Sequence, residues 1–232
     1  MGFFYMDKYY LLLVVPALII SVIAQIRVKG TFNRFSSVGN SKNMTGADVA
    51  RYLLKTNGIF DVQVMQIGGQ LTDHYDPRQK VLRLSDSTYA STSVAAIGVA
   101  AHETGHAIQH KLKYGPLVLR STLVPIANIG SSAGPYIAVL GLFMNWPLII
   151  NLGLILFAGA IVFYLITLPV EFNASKRAID CLNSTGILMK DELQSAKKVL
   201  NAAAMTYVSS ALVAVASFIR LLLLSGQRRN RD

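Results

Sequence analysis

Apolar runs of bilayer length constrain this chain more than any other feature. The first, Tyr9 to Ile26, is close to the ~20 apolar residues that cross a hydrocarbon core. The second spans Leu117 to Phe143 and carries Pro125, Gly130, Gly134 and Pro135, breakers that membrane helices tolerate where neighbours re-satisfy the backbone. The third, Pro147 to Leu168, is unbroken, and the last, Ala202 to Leu224, contains Arg220. Hydrophobic residues make up 53% of the 232-residue chain and charged residues only 15%. Soluble domains carry about 25% charged residues, so much of this chain is built to face lipid. The expected fold is mainly α and polytopic, with a small α+β segment.

The net charge of +10 sits around the apolar runs rather than in an aromatic-interleaved basic patch, so it points to a membrane surface and not to nucleic acid. Arg27, Lys29, Arg34 and Lys42 follow the first run, with no acidic residue before Asp48. A cleavable leader ending near Val22-Ile23-Ala24 needs its positive charge ahead of the run, so an anchor fits better. The positive-inside rule then places this charge in the cytoplasm, together with Lys176, Arg177, Lys190, Lys197 and Lys198. The uncharged Met144-Asn145-Trp146-Pro147 turn belongs outside. Alternation puts the C-terminal Arg228, Arg229 and Arg231 outside as well, against that rule. The last run is therefore either a fourth span or a helix lying in the interface. Cys181 is the one cysteine, which excludes an internal disulfide.

The organisation expected is an anchor at 1–26, a small soluble segment at 27–92, a metal-binding helix at 93–116, two membrane helices at 117–168, a ligand-bearing helix at 169–201, and an apolar helix with a basic tail at 202–232. Within 27–92, Thr45-Gly-Ala-Asp48 reads as a capping box opening a helix over Ala47–Thr56, stopped at Asn57-Gly58. Phe60–Ile67 and Lys80–Leu84 read as strands of a short β-hairpin, with turn chemistry at Thr72–Pro77. Ser93–Tyr114 reads as one helix closed by Gly115-Pro116, apolar nearly all round to Ala101 and so buried.

That helix carries His102-Glu103-Thr104-Gly105-His106. Two histidines four apart share a helix face and can bind one ion, and Glu103 beside them can take a proton from a metal-bound water. Histidines and a carboxylate on a buried apolar helix call for compensation, which one Zn2+ per chain would provide. Gly105 admits another backbone or a substrate at close range. A third protein ligand is needed. His110 is one candidate, although about 40° of drift per four-residue step moves it partly off the face, and it could instead cap the helix end. Glu171, in Leu168-Pro169-Val170-Glu171-Phe172, is the other, favoured because a second element must close the site. Leu82 and Leu84 mark a strand that could pair with a substrate backbone. His74, Tyr207 and Tyr89 are possible oxyanion stabilisers. Asp73, His74 and Asp76 suit a turn better than a metal.

Leu71–Pro77, Val81–Ser85, Ser93–His110 and Leu168–Phe172 with Ala174 resemble the bacterial neutral zinc metallopeptidases of the YugP-like membrane family, over nearly the whole chain. More remotely the chain is similar to the HtpX-type and CAAX prenyl proteases, which are gluzincins. The resemblance implies His102, His106 and Glu171 as zinc ligands and Glu103 as general base. It implies a multi-pass endopeptidase of the bacterial plasma membrane that acts on membrane or membrane-associated proteins from a cytoplasm-facing site. The remote relatives place an Asp four residues after the ligand glutamate, where this chain has Ser175. Ser175 must then do less, or another group substitutes. A zinc-bound but proteolytically silent scaffold, or a channel that merely contains histidines, are the rival expectations.

Overall fold

A computed structural model describes residues 7–229, with side chains described through residue 226. The side chains of the basic tail at Arg228, Arg229 and Arg231 lie outside the described residues. The chain divides into two compact units, one of residues 7–25, 119–168 and 206–229, the other of residues 26–118 and 169–205. Among the described residues, four helical stretches are long and apolar enough to cross a membrane: Tyr10–Ser36, Gly115–Met144, Pro147–Ser184 and Lys190–Gly226. Each presents large apolar side chains outward, such as Leu12, Phe143, Leu148, Ile155 and Leu222. Such a surface suits lipid, not water. The protein is mainly α with a small three-stranded sheet.

The first unit begins with a π-helical turn, Tyr10–Val14, running into α1 (Val15–Ser36). α5 (Gly115–Ser132), α6 (Gly134–Met144), α7 (Pro147–Ser184) and α8 (Lys190–Arg229) contribute the rest. Of the breakers in the second apolar run, Pro125 stays inside α5, and the helix breaks only at Ala133, before Pro135. Asn145 then turns left-handed at φ 52° and its N–H bonds back to the Gly141 carbonyl, closing α6. Small residues let α6 and α7 touch backbone to backbone, the usual device where lipid removes the hydrophobic drive for association. A Cβ at Gly141 would stand 2.5 Å from the Ile150 nitrogen, and one at Gly153 would strike the Ala138 backbone. Arg220, the charge inside the last apolar run, donates to Asp7 Oδ2 through Nε at 2.8 Å and Nη2 at 2.7 Å. Asp7 Oδ1 meanwhile accepts from the Tyr9 and Tyr10 amides, at 3.0 and 2.9 Å. Paired in this way, a charge within an apolar helix is tolerable.

In the second unit, α2 (Gly46–Thr56) has the full capping box: Thr45 accepts from the Asp48 amide and Asp48 from the Thr45 amide. α2 packs on α4 (Val94–Lys111) through Val49, Leu53, Val94, Ile97 and Ala101. Ala178 and Leu182 of α7, with Ala196 and Leu200 of α8, complete that core. α4 is capped by Ser93, whose side chain accepts from the Ala96 amide. It ends at Lys111, before the expected Tyr114, and Gly115 opens the next helix. A short helix, α3 (Asp86–Tyr89), precedes it.

The sheet differs from the expected hairpin of two strands. β1 (Gln63–Ile67) pairs parallel with β3 (Val81–Ser85), and β2 (His74–Asp76) pairs antiparallel with β3, giving the order β1-β3-β2. The hairpin is therefore β2–β3. Its bend begins where Asp76 accepts from the Arg78 and Gln79 amides, so the turn chemistry read at Thr72–Pro77 lies partly within a strand. α7 also runs on through Pro169, where a boundary was expected. A proline removes one backbone donor and bends a helix without having to end it.

Candidate metal centre

α4 is buried on nearly every side up to Ala101, and His102 and His106 follow on one face, a turn apart. Their rings meet edge to face, with centroids 4.8 Å apart. Glu171 comes from α7. It lies 3% exposed with Oε2 3.2 Å from His102 Nε2 and 3.5 Å from His106 Nε2. One donor atom from each of the three lies within 4.8 Å of the others. Gly105 makes this approach possible, because a Cβ there would stand 2.5 Å from the Ala174 carbonyl oxygen. Of the two roles read for this glycine, admitting another backbone is the one the geometry fills.

Two imidazole nitrogens and one carboxylate oxygen converging in a buried site fit a tetrahedral divalent ion that keeps one position for water. The ring nitrogens facing away are also held, as metal-binding imidazoles require. His102 Nδ1 lies 3.0 Å from Ser175 Oγ, and His106 Nδ1 lies 3.0 Å from Gln109 Oε1. Ser175 thus occupies a supporting position with a hydroxyl. Gln109, together with Asn173 beyond it, escaped the sequence reading. Its signal was available as a polar side chain three residues after His106, on the same helix face. Burial disfavours a charged His106, but the carboxylates of Glu171 and Glu103 outweigh it and hold its pKa above the ordinary histidine value. Glu103 is itself buried beside the cluster.

Other expected site residues lie elsewhere. His110 is not part of the cluster; its Nδ1 pairs with the Tyr75 hydroxyl at 2.8 Å. Burial, then the Asp61 and Asp76 carboxylates, push Tyr75 up to about 12, so it meets His110 as a neutral phenol. Leu82 and Leu84 need correction. Both are 0% exposed, in the core with Ala100, Ala107 and Ile108, and cannot touch a substrate. Their strand is the central one, flanked on both sides, so its backbone is not free to hold a peptide. β1 and β2 are the two edges of the sheet. His74 lies on β2, its Nδ1 2.9 Å from the Thr72 carbonyl. Tyr89 accepts from Arg51, and Asp73 accepts from the Ser85 amide and hydroxyl, tying the segment before β2 to the end of β3, so the turn role expected of it falls to Asp76. Tyr207 is on α8 in the first unit.

A family model described as "Putative neutral zinc metallopeptidase" matches residues 10–226. The chain is 44% identical to the "Putative membrane protease YugP" of Bacillus subtilis (strain 168) over 223 residues, covering 95% of this chain and 99% of that one. No solved structure matches.

Proposed function

The chain belongs to the neutral zinc metallopeptidase family, and from that premise we propose that it is a zinc-dependent endopeptidase of the bacterial plasma membrane. Its substrates in this reading are membrane or membrane-associated proteins. The observation that carries it is the meeting of His102 Nε2, His106 Nε2 and Glu171 Oε2 in one buried cluster. These three residues would hold one Zn2+ per chain as a gluzincin ligand set. When bound, the ion supplies an acidified water and polarises the scissile carbonyl.

The chain's own residues do the rest. Glu103 follows the first ligand on α4, close enough to raise the proton affinity of His106. Its carboxylate takes the proton of the attacking water and passes it to the leaving amide nitrogen, as a general base and then a general acid. Ser175 and Gln109 hold the two imidazoles in orientation. Burial of Glu171, His106 and Glu103 excludes bulk water and strengthens each of these interactions. A cytoplasm-facing site is supported by the exposed Arg27, Lys29 and Arg34, which follow the first apolar run and lie in the unit that carries the cluster.

The test is Glu103→Gln in the full-length protein, assayed on a denatured protein substrate. Cleavage is expected to disappear while zinc stays bound. Equal cleavage by both proteins would refute the protease reading. Stoichiometric zinc with no cleavage by either would favour a silent scaffold.

A further inference from the structure

Gln109 follows His106 on α4 and is fully buried. A primary amide has an oxygen that only accepts and a nitrogen that only donates. The end of Gln109 that lies 2.8 Å from the Val170 carbonyl oxygen must therefore be Nε2. The same nitrogen donates to Asn173 Oδ1 at 3.0 Å. The orientation of Asn173 is set independently, because Arg177 Nε donates to Oδ1 at 2.8 Å and a guanidinium cannot accept. Gln109 Oε1 is left facing His106 Nδ1 at 3.0 Å. A carbonyl oxygen cannot donate, so the hydrogen between them belongs to Nδ1. A neutral imidazole carries only one such hydrogen, and His106 Nε2 then presents its lone pair toward Glu171.

We infer that Gln109, oriented by Val170, Asn173 and Arg177, is a positioning residue that fixes neutral His106 as its Nδ1–H tautomer and so selects the nitrogen that meets a metal. This rests on the metal-binding reading above. Every link up to Gln109 runs in one direction, from a donor that cannot accept to an acceptor that cannot donate, and Oε1 is thereby left to accept from Nδ1. His102 differs. Its Nδ1 partner, the Ser175 hydroxyl, can donate or accept, so that contact does not impose a tautomer; its Nε2 faces Glu171 Oε2 at 3.2 Å. The two ligand histidines are thus held by unlike means, one by a directed amide and the other by a rotatable hydroxyl.

The test uses the full-length, metal-free protein in detergent micelles, with nitrogen-15 NMR of the histidine rings at a pH where they are neutral. Zinc affinity is measured in parallel by competition with a chromophoric chelator. Wild-type His106 is expected to be protonated at Nδ1. Gln109→Leu removes the acceptor and keeps an apolar side chain in the space. It should abolish the tautomer preference of His106, leave His102 unchanged, and weaken zinc binding by about 10- to 100-fold, the usual effect of losing an outer-shell partner. Gln109→Met replaces it if the leucine variant does not fold. Wild-type His106 protonated at Nε2 would overturn the inference, as would a Gln109 variant with unchanged tautomer and zinc affinity. If the wild type carries the Nδ1–H tautomer but takes up no zinc, the tautomer assignment is upheld and the metal-binding reading falls.

Discussion

Gly105→Ala tests how the two halves of the candidate centre are brought together. The added Cβ would stand 2.5 Å from the Ala174 carbonyl oxygen and 3.2 Å from its Cα. Comfortable non-bonded contact lies near ~3.5 Å, so α4 and α7 must part locally by something on the order of 1 Å. The obstacle is backbone and cannot swing aside. Metal–ligand distances hold to about 0.2 Å, so a displacement of that size takes Glu171 out of reach of an ion held by His102 and His106. The fold itself should suffer less. Alanine gains about 1 kcal/mol of helix propensity over glycine, set against about 1–3 kcal/mol for overpacking. The expected variant is folded, with its unfolding temperature lowered by up to about 8 °C, roughly as a net loss of up to about 2 kcal/mol implies, and a zinc affinity at least about tenfold weaker. Gly98→Ala on the same helix is the control. The nearest atom to its Cβ is the Ala196 Cβ, 3.4 Å away in ordinary contact, and zinc affinity should stay at the wild-type level. Chelator competition and thermal unfolding read both variants. Wild-type zinc affinity in Gly105→Ala would show that this contact does not set the spacing of the ligands.

Protons and metal should compete at His106. Its raised pKa adds stability to the metal-free fold that is fully present below the unfolded-state value and lost as pH rises through the folded-state value. Zinc needs the neutral ring, so zinc affinity should fall as pH drops, starting above the ordinary histidine range; unfolding scans across pH with and without zinc should show opposite slopes there. Breaking the Asp7–Arg220 pair on one side leaves an uncompensated charge among apolar helices. Arg220→Met alone should destabilise by up to about 3–5 kcal/mol, and Asp7→Asn with Arg220→Met should recover most of it, measured by unfolding in detergent. Leu82→Ala should cost about 2–5 kcal/mol of stability through the cavity it leaves, with no change in KM per folded molecule; a KM effect without loss of stability would return this residue to substrate contact.

Features set by local chemistry were legible in the sequence. The Thr45–Asp48 capping box needs only its own four residues, and the shared face of His102 and His106 follows from the helix period. Gly105 was legible as a close-approach position because a glycine inside a well-formed helix wants a reason. Features set by distant partners were not. β3 alternates no more clearly than an edge strand, and it became central only because β1, on the other side of β2 in the chain, pairs with it in parallel. Leu82 and Leu84 share the face that packs on Ala100, Ala107 and Ile108, so both are core. His74–Asp76 holds turn-forming residues, yet it is a strand because Val81–Arg83 lies beside it. Gln109 looked like an ordinary polar residue near a helix end. Its meaning came from Val170 and Asn173, which fold α7 against it. Glu171 was expected from a chemical requirement, that a metal needs a third ligand from another element, and its carboxylate lies 3.2 and 3.5 Å from the two histidines.

The central claim is tested most directly by metal content. Wild type, His106→Ala, Glu171→Ala and His110→Ala would each be purified in detergent and analysed for zinc per chain. One zinc per chain is expected in the wild type and in His110→Ala, whose ring belongs to Tyr75, and none in the other two. Full zinc in Glu171→Ala with loss in His110→Ala would contradict the ligand set, and no zinc in the wild type would contradict the metal centre altogether.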